Sequence, residues 1–318
     1  MTVSREEVIW AYRALLGREP ENDEVIENHT ATANFSTLRN DFILSDEFRA
    51  SSPILKVGRH RGVETIDVET TCRPAELEQM AENIAREWRH FGETEPHWSV
   101  VTGDEFRPGN IEKNIDAFYD LGRNDIFHIV AALKRNGAWK ADGIRALDFG
   151  CGVGRLSLAL APHVTHVTGI DISPAHLVHA RQRAEQMSVG NVSFSPIGII
   201  QDIDALPKFD LIISLIVLQH NPPPVMVELL RKLLSRLAPD GTAVIQMPTY
   251  LSGQRFTVAD YLSNEQPSME MNAVPQRVIY EVIDQTNCKV LEVREDEYMG
   301  SFDIGLSHTF VIQRRSDR

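Results

Sequence analysis

Cysteine is scarce in this chain: Cys72, Cys151 and Cys288 stand far apart, odd in number and without a C-x-x-C pair. That spacing excludes a disulfide framework and a zinc knuckle, and a reducing compartment, the cytoplasm, is the expected setting. Long apolar runs are missing too. The longest, Leu211 to Leu218, falls far short of the roughly 20 residues that a membrane-spanning helix requires, so it reads as a buried strand. The opening Met1-Thr-Val-Ser-Arg-Glu-Glu lacks the charged-then-apolar layout of a secretion signal. Positive charge is in deficit, with 32 Lys and Arg against 45 Asp and Glu and a formal net charge of -13. A surface of that sign repels the phosphates that supply most nucleic-acid affinity, so neither DNA, RNA nor anionic membrane is an expected partner. Internal repeats and low-complexity tracts are also absent.

What is present suits one catalytic domain with smaller additions, since 318 residues exceed the roughly 250 at which single cores stop growing. Residues 1–50 read as a small helical module. Val8, Ile9, Tyr12, Leu15 and Leu16 recur at helical spacing before Gly17-Arg-Glu-Pro breaks the pattern, and Leu38, Phe42, Ile43 and Phe48 mark a second helical stretch. Residues 51–73, with Ser-Ser-Pro, Gly62 and scattered charges, suit a linker. Residues 74–143 form a helical region. Pro74 fits a first helical position, Leu77, Met80, Ala81, Ile84 and Trp88 mark an apolar face, and a second helix is predicted from Ile111 to about Asn136.

From residue 144 to the end the texture changes. Short apolar runs (Ala146-Leu-Asp-Phe, Val167-Thr-Gly-Ile-Asp, Val192-Ser-Phe, Leu211 to Leu218, Gly241-Thr-Ala-Val-Ile) alternate with helical patterns. That alternation predicts an α/β fold with a mostly parallel sheet covered by helices on both faces. Lys289-Val-Leu-Glu-Val and His308-Thr-Phe-Val-Ile have no helical pattern between them, so they are predicted to pair antiparallel.

Leu147-Asp-Phe-Gly-Cys-Gly-Val-Gly-Arg155 places Gly150, Gly152 and Gly154 between a strand and a helix, where missing side chains let the backbone approach a ligand. Seventeen residues past Gly154, Asp171 ends the next strand, positioned to accept hydrogen bonds from ribose hydroxyls. A dinucleotide fingerprint needs glycine or alanine where Arg155 stands. Asp148 would also sit badly beside a pyrophosphate but well beside an ammonium group.

This ordered series resembles class I methyltransferases over about Ile144 to Arg314. The resemblance rests on the Asp148 to Arg155 loop, Gly169-Ile-Asp-Ile-Ser, Phe209-Asp-Leu-Ile-Ile-Ser, the Leu-Ala-Pro-Asp-Gly-Thr turn and the final strand pair. It implies a Rossmann-like seven-stranded sheet whose last strand is antiparallel, preceded here by the helical module and a helical cap. It also implies S-adenosyl-L-methionine as cofactor, held by Asp148, Gly150, Cys151, Gly152, Gly154, Asp171 and Ile172, with Ser214 and Leu215 at the end of the fourth strand. One departure concerns the acid that usually follows the third strand and reads adenine. Ile197-Gly198 fall there, leaving Asp202 or backbone groups to hold the base.

Methyl transfer is an in-line displacement on a sulfonium carbon, and an alcohol acceptor must also lose a proton. Candidates should follow strands, which singles out Gln219 and His220, the latter either a catalytic base or a lining residue, and Tyr250 after the fifth strand. His163, His166, His176 and His179 read as surface or packing residues. Trp98, Tyr119 and Arg123 lie in the segment that resembles the cap of bacterial relatives and are candidate lid or acceptor contacts, with core packing as the alternative. Ser214 stands where metal-dependent catechol methyltransferases carry an aspartate, so no metal is expected.

The module at residues 1–50 resembles a small bacterial helical domain found beside enzymes of surface glycans, and otherwise reads as a docking or dimerisation element. The resemblance therefore implies metal-independent O-methylation of a sugar or glycan hydroxyl. N- or O-methylation of a small metabolite, and a non-catalytic cofactor-binding or glycan-binding protein, are the alternatives.

Overall fold

The computed structural model describes residues 3–16, 18–45, 47–48, 66–140, 142–264, 269–299 and 305–316. The chain divides into two compact units, residues 1–63 with 301–303 and residues 64–300 with 304–318. Gly17, the side chain of Ile43, Gly62 and the expected linker as far as residue 65 lie outside the described residues.

In the smaller unit three short helices are each started by a polar cap. Ser4 and Glu7 form a reciprocal capping box on α1 (Arg5–Ala11). Asn22 and Asn34 accept the amide hydrogens of Val25 and Thr37 at the starts of α2 (Asp23–Thr30) and α3 (Phe35–Leu44). Such caps satisfy amides that a helix leaves unpaired, but helices this short hold only through packing. Val8, Ala11, Tyr12, Ile26, Leu38 and Phe42 supply that packing, four of them positions whose spacing predicted it.

The larger unit starts inside the expected linker: Asp67 and Val68 form β1 and pair in parallel with β7 (Arg255–Phe256). Helices α4 (Pro74–Thr94) and α5 (Ile111–Arg135) follow, over the stretch expected to form a helical cap. Pro74 opens α4, where its missing amide hydrogen costs nothing.

Next come β2 (Arg145–Phe149), α6 (Arg155–Leu160), β3 (His166–Asp171), α7 (Pro174–Gln186), β4 (Val192–Pro196), β5 (Phe209–Ser214), α8 (Pro223–Ser235) and β6 (Leu237–Leu251). After β7 the chain continues through α9 (Val258–Ser263), α10 (Gln276–Gln285), β8 (Cys288–Asp296) and β9 (Gly305–Arg314). Seven strands make one sheet in the order β4-β3-β2-β5-β6-β9-β8. Only β9 runs against its neighbours, so the last strand is antiparallel as expected.

The two-residue period of the strands sorts the core. Leu147, Phe149 and Ile212 join Leu230 and Leu233 of α8 and Val278 and Val282 of α10, whereas Ala146, Leu211 and Ile213 join Ile129, Leu133, Leu156 and Leu160 of α5 and α6. Each fully buried aliphatic side chain contributes roughly 1.5–3 kcal/mol, so this two-faced core dominates the stability of the unit. Helix α10 was not read from the sequence, although Val278, Ile279, Val282 and Ile283 carry its buried stripe. Between β2 and β5 the connections leave in opposite directions, and such a switch point opens a crevice at the carboxyl ends of the strands.

Candidate active site

The crevice is a cleft lined by the glycine loop, the ends of the neighbouring strands and the helical cap. Seven of the ten predicted cofactor positions line it: Asp148, Gly150, Cys151, Gly152, Asp171, Ile172 and Leu215. Gly150 and Gly152 take φ values of 72° and 52°, in the left-handed region that favours glycine. A Cβ on Gly150 would stand 2.5 Å from Val217, and one on Gly152 would stand 2.7 Å from Val100 of the cap. The bare backbone is therefore what lets both walls close on the loop.

Three predicted positions do other work. Gly154 starts α6 beneath the loop, where a Cβ would press on Ala180 and Phe194 at 3.1 and 3.2 Å. Ser214 is fully buried and its hydroxyl donates to the Phe149 carbonyl at 3.1 Å, bracing β5 against β2. Asp202 spends one carboxylate oxygen on the amides of Gly198 and Ile199, at 2.9 and 3.0 Å, and so shapes a loop whose Ile199 and Ile200 line the cleft while its own side chain does not.

The two acids that remain flank the glycine loop. Asp148 is buried, and burial pushes its pKa up to about 6 against the opposing pull of the Ser157 hydroxyl, 2.5 Å away, and of Arg155. Arg155 pairs with Asp125 at 2.5 Å, and Tyr298 donates to the same carboxylate at 2.8 Å. Asp171 accepts from the Gly152 amide with one oxygen and the Ser173 amide with the other, both at 2.8 Å. Each oxygen keeps a lone pair for a ligand hydroxyl.

The cap supplies the opposite wall, though through other residues than those singled out. Ala81, Ile84 and Trp88 of α4 and Ser99 and Val100 of the following loop face the cleft. Trp98 instead lies beneath the Arg107 guanidinium, 4.1 Å from its ring centre. Tyr119 is core, its hydroxyl donating to the Val153 carbonyl at 3.0 Å, and Arg123 pairs with Asp120 in solvent. Tyr250 sits opposite Leu306 in the β6–β9 ladder, away from the cleft. His176, read as surface or packing, is buried and on the cleft.

Gln219 and His220 belong to a buried polar chain behind the wall. Gln246 donates to Gln219 at 3.0 Å and to Ser307 at 2.7 Å, and it accepts the Ile216 amide at 2.9 Å. Ile216 needs that support: it lines the cleft at a φ of 60°, a conformation that strains a β-branched residue. The His220 ring lies between Gln219 and the Glu270 carbonyl, each 3.2 Å from one ring nitrogen, and packs 5.2 Å from Trp88. Donation from Nδ1 to the carbonyl and acceptance at Nε2 from the Gln219 amide satisfy both nitrogens of a neutral ring. Burial pushes its pKa down to about 4, so a fall in rate through pH 6.5 is not expected from this residue. Trp88, not His220, presents its surface to the cleft. Among the described residues no group of three or more His, Cys, Asp or Glu side chains is placed to hold a metal ion, and no helix is long and apolar enough to cross a membrane.

Residues 146–241 match a family model described as a methyltransferase domain. The ubiquinone biosynthesis O-methyltransferase of Coxiella burnetii is 41% identical over 86 residues, 26% of this chain and 35% of that protein. Its counterpart from Alkalilimnicola ehrlichii is 40% identical over 84 residues, 26% and 34% of the two chains. The chain thus spans about a third of the length of the curated relatives it matches. Among solved structures, magnesium protoporphyrin IX methyltransferase from Synechocystis, with bound SAH, superposes at a TM-score of 0.52 and 22% identity, covering 73% of this chain and 99% of that one. The shared fold is the Rossmann-like sheet with its reversed last strand.

Proposed function

We propose that this chain, whose residues 146–241 match a methyltransferase-domain model, moves the methyl group of S-adenosylmethionine to a small acceptor with a largely apolar body. The observation that carries the reading is the pair of acids, one before the glycine loop and one at the end of the neighbouring strand, that flank the bare backbone of Gly150 and Gly152. Asp148 suits the ammonium of the methionine part and Asp171 suits the ribose hydroxyls, in one cleft. Gly150 and Gly152 let the cofactor lie on backbone between them.

The acceptor follows from the rest of the wall. Ala81, Ile84, Trp88, Val217, Val225 and Leu229 are apolar, and Asn221 is the one amide side chain among the cleft residues. A saccharide would have to leave most of its hydroxyls unpaired against such a wall, at a cost of about 1–3 kcal/mol for each one buried. The glycan expectation drew on the small helical unit alone. The curated relatives that match here are named for O-methylation in ubiquinone biosynthesis, which is compatible with a small, apolar acceptor.

S-adenosylmethionine, when bound, would supply a methyl group on a sulfonium whose sulfur leaves as a neutral thioether when the acceptor's lone pair takes the methyl, with Asp148 and Asp171 holding the two ends of the cofactor and an acceptor proton lost to solvent. The chain aligns the two reactants and keeps bulk water off them, with Trp88 and Ile84 covering the cleft. Incubation with methyl-labelled S-adenosylmethionine and matched sets of apolar phenols, apolar amines and oligosaccharides tests the reading. Label should enter the apolar set; transfer confined to the saccharides would refute the apolar-acceptor assignment.

A further inference from the structure

We infer that His176 is a positioning residue for the cofactor's ribose, joining the cap to the carboxylate of Asp171. The inference rests on the cofactor reading above. His176 and Ser99 are 1% and 4% exposed, and both line the cleft. The Ser99 hydroxyl lies 3.0 Å from His176 Nε2, across 77 residues of sequence. The other ring nitrogen, Nδ1, lies 3.6 Å from Asp171 Oδ1 and has no hydrogen-bond partner among the described residues.

A neutral imidazole has one donor and one acceptor nitrogen, and here the surroundings decide which is which. A carboxylate only accepts, so the proton belongs on Nδ1, facing Asp171. Nε2 is then left to accept from the Ser99 hydroxyl. At 3.6 Å the Nδ1 contact is longer than a hydrogen bond. It still points the positive end of an N–H dipole at a buried anion, where screening is weak. Together with the amides of Gly152 and Ser173, the ring fixes how the carboxylate is turned, and hence where its remaining lone pairs meet ribose hydroxyls.

The cap converges on this same turn from two other places. A Cβ on Gly92 of α4 would stand 2.0 Å from the Ser173 hydroxyl, so the helix rests directly on the start of α7. Arg89 donates to the Ile172 carbonyl at 3.4 Å. Seating the cap and orienting the ribose acid are therefore one structural event, with His176 as the link that touches both.

The experiment crosses substitutions at this residue with single hydroxyl deletions in the ligand. S-adenosylhomocysteine and its 2′-deoxyribose and 3′-deoxyribose analogues are titrated calorimetrically into wild type, His176→Asn, His176→Gln and Ser99→Ala. Asparagine places a donor near the Nδ1 position and lacks the reach to Ser99, whereas glutamine reaches Ser99 and leaves Asp171 alone. Wild type should lose roughly tenfold in affinity when the Asp171-bound hydroxyl is removed. His176→Asn should keep that penalty, and His176→Gln should shrink it to about twofold while binding the parent ligand several-fold more weakly.

Ser99→Ala, which barely changes core volume but leaves Nε2 without its donor, should weaken the parent ligand about threefold in a protein that still melts cooperatively, a few degrees below the wild type. It keeps the test open if a histidine variant fails to fold. An undiminished penalty in His176→Gln, equal loss in both histidine variants, or wild-type affinity in Ser99→Ala would overturn the link. Absence of S-adenosylhomocysteine binding by the wild type would instead defeat the cofactor reading on which the link depends.

Discussion

A Gly150→Val protein should bind S-adenosylhomocysteine about a hundredfold more weakly than the wild type while melting as a folded protein. Gly150 sits at a φ of 72°, a region that costs an L-residue about 1–2 kcal/mol and a β-branched one more. Its amide is held by the Ile170 carbonyl at 2.8 Å, so the backbone is not free to turn away. The new Cβ would also stand 2.5 Å from Val217, which forms the facing wall. Either the loop or the wall must give, and a combined cost near 3 kcal/mol corresponds to about two decades in affinity. Calorimetry with a melting curve on the same sample checks it, and affinity within tenfold of the wild type would remove the loop from the binding site.

Asp148→Asn should move affinity and stability in opposite directions. The folded pKa of Asp148, pushed up to about 6 from an ordinary 3.8, means that the native state holds this proton more tightly than the unfolded chain. The group's contribution to stability is fully present below the unfolded pKa and is lost as pH rises through 6. A neutral asparagine escapes that loss. The ligand-free variant should therefore melt higher than the wild type at pH 7.5, with the difference closing by pH 4.

Cofactor binding should behave the other way, because an ammonium needs the ionised carboxylate. Wild-type affinity should fall about tenfold from pH 7 to pH 5, while the asparagine protein stays flat and binds roughly tenfold more weakly at pH 7. A wild-type affinity that does not change over that range would place the ammonium elsewhere.

The parts of this site that could be read in advance are those encoded within short stretches. Gly150, Gly152 and Asp171 follow strands whose alternation is visible locally, and all three line the cleft. What escaped depends on contacts between distant segments. His176 looks like any helical histidine until Ser99 is brought onto it, and nothing near residue 176 announces that partner. Trp88 and Trp98 are both cap aromatics, and only the way α4 settles on the sheet puts Trp88 in the cleft and leaves Trp98 under Arg107.

Asp202 illustrates a different limit. An acid in the right loop is a fair adenine candidate, but its donors are the amides three and four residues before it. Short-range bonds of this kind are common for aspartate in turns. The left-handed Ile216 had no sequence signal at all, because its conformation is imposed by Gln246 from the neighbouring strand. Helix α10, by contrast, is legible in the spacing of Val278, Ile279, Val282 and Ile283.

The chemistry of the cleft depends on what occupies the glycine loop beside Asp148 and Asp171. Titrating the protein with S-adenosylhomocysteine and, separately, with NAD decides this, since Arg155 fills the position where a dinucleotide fingerprint needs a small residue and is itself buried against α5. The homocysteine nucleoside should bind at one site, NAD should not, and Asp171→Ala should weaken the former by about 1.5–3 kcal/mol. Binding of NAD in place of S-adenosylhomocysteine, or full affinity in the Asp171→Ala protein, would contradict the assignment.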